Sequence, residues 1–111
     1  MDMKPTKYRA RKVTVDGVTF DSQGEYCKWC ELKLLEKTGA IRNLERQVRV
    51  PLLVNGKKIC DAVIDFAFFE GDKRVYLEFK SKFTRTLPVW RLKRKLLEAI
   101  YPVVTLREIT R

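Results

Sequence analysis

The alternation of apolar and polar positions is clearest in the stretch KKICDAVIDFAFFEGDKRVYLEFK, which ends at Lys80. Branched and aromatic residues fill two arms, and Glu70, Gly71, Asp72 and Lys73 interrupt them with turn chemistry, so the stretch predicts a β-hairpin. Strand side chains alternate, which puts Val75, Leu77 and Phe79 on one face and Tyr76, Glu78 and Lys80 on the other. A loop of Gly71-Asp72, or of residues 70–73, sets Phe69 opposite Arg74 and Asp65 opposite Glu78. A three-residue loop would mix the polar and apolar faces, so the even loop is the better reading. Two carboxylates facing each other in an apolar hairpin repel, and a hard divalent cation with oxygen ligands is the natural compensation.

The same patterning places the remaining elements. Val13-Thr14-Val15 and Val18-Thr19-Phe20 flank Asp16-Gly17, a two-residue hairpin signal. Ser22 is an N-cap and Glu25, three positions later, completes a capping box ahead of Tyr26, Trp29, Cys30, Leu34 and Leu35. That helix should reach Lys37 or Thr38 and stop at Gly39. Glu25 shares a stripe with Trp29 and Leu32, so it either faces inward toward a cleft or merely caps the helix. Ile41 to Val54 is extended, with Pro51 marking an edge or a bulge, and Asn55-Gly56 hands the chain to the hairpin. Ser81 to Leu87 reads as a loop, and Pro88 opens a second helix. In it Trp90, Leu92, Leu96, Leu97 and Ile100 recur with helical spacing, opposite a basic side of Arg91, Lys93, Arg94 and Lys95. Val103 to Leu106 with Ile109 predicts a last strand. The order is a short N-terminal β-ribbon, then helix, three strands, helix and strand. This is an α/β (α+β) class with one mixed sheet, whose final strand can run parallel to a neighbour.

Charge sharpens the picture. Twenty-four Lys+Arg against 14 Asp+Glu give a formal +10 over 111 residues, enough chain for one domain. Such an excess on a folded domain points to a polyanion, most often nucleic acid. Residues 1–11, basic and containing Pro5, read as a flexible arm. No apolar run could span a bilayer and the N-terminus lacks a signal core, so the expected location is the cytoplasm. Cys27, Cys30 and Cys60 are then expected as thiols, with Cys27 and Cys30 buried on the helix, and with no histidine a four-ligand zinc site cannot be completed from Cys and His.

Asp65, Glu78 and Lys80, with Glu25 on the preceding helix, form a constellation: Ile64-Asp65, then Glu78-Phe79-Lys80, with Phe20-Asp21-Ser22-Gln23-Gly24-Glu25 upstream. It resembles the PD-(D/E)xK nuclease superfamily, whose core has this order of elements. More narrowly it is similar to small phage-encoded members such as endonuclease I-type Holliday junction resolvases, to which FDSQGE, Gln47 and WRLKRKLLEAIYP also correspond. The sequence departs from the family pattern at Ile64, where a proline is common, and at Ser81, where a glycine often follows the lysine.

The resemblance implies a restriction-endonuclease-like core with Glu25, Asp65, Glu78 and Lys80 as catalytic residues. Asp65, Glu78, Glu25 and the Phe79 carbonyl would hold Mg²⁺, with Mn²⁺ able to substitute. Lys82, Arg85, Arg91, Lys93, Arg94 and Lys95 would contact DNA. The implied activity is metal-dependent hydrolysis of phosphodiesters in branched DNA by a homodimer, in a phage-infected or prophage-carrying bacterial cell. Alternatives are another phage nuclease of the same fold, nicking or exonucleolytic, and a non-catalytic DNA-binding accessory protein.

Overall fold

A computed structural model describes residues 12–80 and 86–110. The proposed arm of residues 1–11 and the basic positions Lys82 and Arg85 lie outside the described residues. The elements follow in order: β1 (Val13–Val15), β2 (Val18–Phe20), α1 (Gln23–Thr38), β3 (Arg42–Val54), β4 (Lys57–Glu70), β5 (Lys73–Lys80), α2 (Pro88–Ile100) and β6 (Thr105–Thr110). β1 and β2 form a small ribbon, and β3-β4-β5-β6 form one sheet in that order. Its first two pairings are antiparallel and β5–β6 is parallel, which makes an α+β domain with a mixed four-stranded sheet.

The turns form for the reasons their residues supply. Asp16-Gly17 and Asn55-Gly56 both take positive φ at both positions, the conformation that two-residue hairpins demand and Asx-Gly tolerates. Gly71, at φ 63°, closes the central hairpin so that Phe69 faces Arg74 and Glu70 faces Lys73, the even register expected from sequence. α1 starts where Ser22 Oγ accepts the Glu25 N–H at 3.1 Å and stops at Gly39 in the left-handed conformation. Pro51 sits on β3, an edge strand, where a missing N–H costs nothing to the ladder.

The helices cover opposite faces of the sheet. Leu32 of α1 packs with Phe66, Phe68, Val75 and Leu77. Trp90 and Leu97 of α2 pack with Tyr76, Ala67, Ile64, Ala62, Val50 and Leu52. Val75 and Tyr76 are successive residues, so the two clusters lie on the two sides of β5. The Tyr101 hydroxyl donates to the Pro51 carbonyl at 2.7 Å, fastening the end of α2 across β3. Several apolar positions expected in the helix stripes are exposed instead, Leu34 at 64% and Leu92 at 59% most of all, with Leu35 and Cys30. The apolar stripe that packs is narrower than the run of leucines. No described helix is long and apolar enough to cross a membrane.

Besides irregularities between Arg42 and Glu45 and between Leu52 and Leu53, the strands break alternation where they pass from one core cluster to the other. On β4, Ile64 belongs to the α2 cluster and Phe66 to the α1 cluster, although residues two apart in a regular strand share a face. On β3, Val48 packs with the α2 cluster and Leu44 with the α1 cluster. Both strands change face at the same level. The register sets Arg46 opposite Phe66 and Val48 opposite Ile64, skipping Gln47 and Asp65. Gln47 has φ 53°, and of the described non-glycine residues with positive φ it is the one that is neither Asp nor Asn.

Candidate functional site

The kink delivers Asp65 to a gap between strands. β4 and β5 exchange ladder bonds from Glu70–Lys73 as far as Phe66–Leu77. Beyond that point side chains take over: Glu78 Oε2 accepts the Asp65 N–H at 2.9 Å and Asp65 Oδ2 accepts the Phe79 N–H at 2.8 Å. Each carboxylate is thus bonded to the other residue's strand, by charge-assisted bonds stronger than the ladder bonds they replace. The expectation that Asp65 and Glu78 meet holds in register, but they meet through these bonds rather than as a ladder pair.

Glu25 arrives from α1. Its place in the first turn follows from the Ser22 cap, and the Glu25 carboxylate points to Gln47, whose Nε2 donates to Glu25 Oε2 at 3.2 Å and to Asp65 Oδ1 at 3.4 Å. Arg46 Nη2 lies 3.8 Å from the same Glu25 oxygen, its guanidinium 4.3 Å over the Phe20 ring. The inward-facing reading of Glu25 is the correct one: it is 2% exposed.

Close approach of α1 to β5 depends on Gly24. A Cβ there would lie 2.8 Å from Phe79 Cζ and 2.9 Å from Cε2. Gly24→Ala therefore displaces the Phe79 ring and strains the N–H that Phe79 gives to Asp65. The expected cost is about 1–2 kcal/mol, checked by urea unfolding.

Lys80 comes from the end of β5. Its Nζ is 2.9 Å from Glu78 Oε1 and 4.3 Å from the centre of the Trp90 ring. Trp90 Nε1 donates to Glu108 Oε2 at 2.6 Å, and Arg94 Nη1 to Glu108 Oε1 at 2.7 Å. A lysine between a buried carboxylate and an aromatic face is held in one place by two independent attractions.

The electrostatics are those of crowded acids. Burial, then the neighbouring Asp65 charge, pushes Glu78 up to about 7, against the pull of Lys80. Burial raises Asp65 as well, opposed first by the Phe79 N–H and then by Lys80. Glu25 is raised by burial, then by the charges of Asp65 and Asp21, with Arg46 opposing. Each of the three is destabilised as an anion, two of them by Asp65.

Among the described residues no three Asp, Glu, Cys or His side chains converge into a ready-made ion site. The donor set nevertheless fits a hard cation. It consists of carboxylate oxygens whose proton affinities are raised by burial, and buried Glu78 Oε1 has the Lys80 ammonium at 2.9 Å. Glu25 and Asp65 are drawn to a single amide donor, where a cation would relieve the same repulsion.

Of the predicted DNA contacts, Arg91, Arg94 and Lys95 line one cavity of about 610 Å³ with Trp90, Glu98 and Glu108. Lys93 is not among its lining residues and is half-buried elsewhere on α2. Cys27 and Cys30 are free thiols but exposed on α1 rather than buried, and Cys60 is a half-buried one. Three contributors were not among the expected site residues: Gln47, Trp90 and Glu108. Trp90 carried a signal, an aromatic on the core side of a basic helix, whereas Glu108 carried none.

The chain belongs to the family described as "Protein of unknown function (DUF1064)", which matches it over residues 5–111. No curated protein and no solved structure matches it.

Proposed function

We propose that this DUF1064 protein is a divalent-metal-dependent, structure-selective endodeoxyribonuclease with a restriction-endonuclease-like core. Its preferred substrate is branched DNA such as a four-way junction. The observation that supports this best is the crossed pair at the end of the β4–β5 hairpin, Asp65 on the Phe79 amide and Glu78 on the Asp65 amide, with Lys80 against Glu78. Asp65, Glu78 and the Phe79 carbonyl would hold Mg²⁺ or Mn²⁺, with Glu25 beside them. When bound, the ion supplies charge neutralisation at the phosphoryl and leaving oxygens. Lys80, fixed between Glu78 and Trp90, orients a water for in-line attack and answers the negative charge that develops. Arg91, Arg94 and Lys95 receive flanking phosphates. Symmetric cutting of two strands calls for a two-fold homodimer with one site per protomer.

A four-way junction and a matched linear duplex, incubated with and without Mg²⁺, separate the readings. Cleavage of the junction only when the ion is present is the expected result. Equal cutting of both substrates would leave a general nuclease of this fold. Salt-sensitive binding with no cutting in either Mg²⁺ or Mn²⁺ would leave an accessory DNA-binding protein.

A further inference from the structure

Gln47 combines two features that the fold alone does not require. Its backbone holds φ 53° in mid-strand, a conformation costly for a residue with a long side chain. Its amide nitrogen reaches two carboxylates from different elements, Glu25 on α1 and Asp65 on β4. The left-handed turn is what brings the side chain over them, because it is the point at which β3 changes face. Gln47 is also exposed, so its amide can swing into solvent without leaving a void.

We propose that Gln47 is a positioning residue whose amide stands in for a cation between Glu25 and Asp65 and yields that place when a divalent ion binds. This rests on the metal-dependent reading above. Without a donor between them the two acids repel. With the amide present they are kept facing one another, and the backbone strain at Gln47 is the cost of keeping it there. Glu25 and Asp65 would then hold the ion, which would free the Gln47 side chain. Pure scaffolding by Gln47 would make its removal harmful to the fold and to ion binding alike. Direct ligation through its amide oxygen would make removal harmful to ion binding above all. A placeholder differs from both, because removal harms the ion-free protein and helps the ion.

Mn²⁺ binding to the full chain, followed by calorimetry, tests this with no reference to activity. Gln47→Leu keeps the reach and removes the donor. It should melt lower than the parent in chelator yet bind Mn²⁺ roughly three- to tenfold tighter, the ratio corresponding to one net hydrogen bond no longer broken on binding. Gln47→Asn tolerates the positive φ but is too short to span both acids, so it should show the same tightening in a chain that folds readily. Unchanged or weaker binding by the two variants overturns the placeholder. Absence of Mn²⁺ uptake by the parent and both variants overturns the metal-dependent reading itself.

Discussion

Asp65→Asn should eliminate divalent-dependent cleavage of branched DNA, lowering the single-turnover rate by about 10²–10³-fold or more, the loss seen when one preorganised charged or polar group is removed from a reacting centre. Asp65 is the residue through which the other acids are connected. Its N–H binds Glu78, its Oδ2 takes the Phe79 N–H, and its Oδ1 shares Gln47 with Glu25. Asparagine keeps the shape and can still accept from Phe79, so the fold should survive. Removing one negative charge beside the phosphates should leave DNA affinity equal or slightly higher. Single-turnover cleavage measured beside fluorescence anisotropy binding checks both halves. An Asp65→Asn protein that cuts at the parental rate would remove Asp65 from the site and the nuclease reading with it.

The second large effect concerns stability. Glu78 ordinarily titrates near 4.5 and in the fold is pushed up to about 7, chiefly by burial and then by Asp65. Between those values the folded chain keeps a proton that the unfolded chain gives up, so rising pH favours unfolding. The contribution of Glu78 is fully present below 4.5 and gone above about 7. The difference corresponds to about 3 kcal/mol. Asp65 and Glu25, both raised, act in the same direction, while the lowered Asp61 and Glu70 act oppositely at more acidic pH. Lys80 faces Glu78 and moderates the effect. Urea unfolding in chelator at pH 5 and pH 8 should show the parent losing about 3 kcal/mol relative to Glu78→Gln across that interval. Added Mg²⁺ should stabilise the parent more at pH 8 than at pH 5, because it binds the ionised carboxylate. A gap between parent and variant that does not change with pH would mean that Glu78 is not strained as an anion.

What the sequence made legible was local chemistry. Asp16-Gly17, Asn55-Gly56 and Gly71 specify turns by themselves, Ser22 specifies a helix start, and the even hairpin loop carries Asp65 to Glu78. The pairing of Asp65 with Glu78 could be counted outward from Gly71 because register is arithmetic once the turn is known. Gln47 could not be placed in this way. Its role depends on a left-handed residue inside a strand, which no propensity announces, and on partners 22 and 18 positions away. The same kink moves Ile64 and Phe66 to different faces, a break that alternation read from sequence treats as impossible. Leu34 and Leu92 illustrate the converse error: helical spacing says which residues could face a core, while the breadth of the sheet decides which do. The cation-holding role of Trp90 required the parallel placement of β6, since Glu108 anchors the indole.

That parallel placement also governs the order in which the molecule can assemble. β5 meets β4 through a two-residue turn, a contact that closes at once, but it meets β6 only after α2 has crossed over the sheet. The second side of the strand bearing Glu78 and Lys80 is therefore covered through a long crossover, a slower closure than that of the hairpin. Chains lacking residues 105–110 should leave that acid open to water, so completion of the Asp65–Glu78–Lys80 cluster waits on the docking of β6.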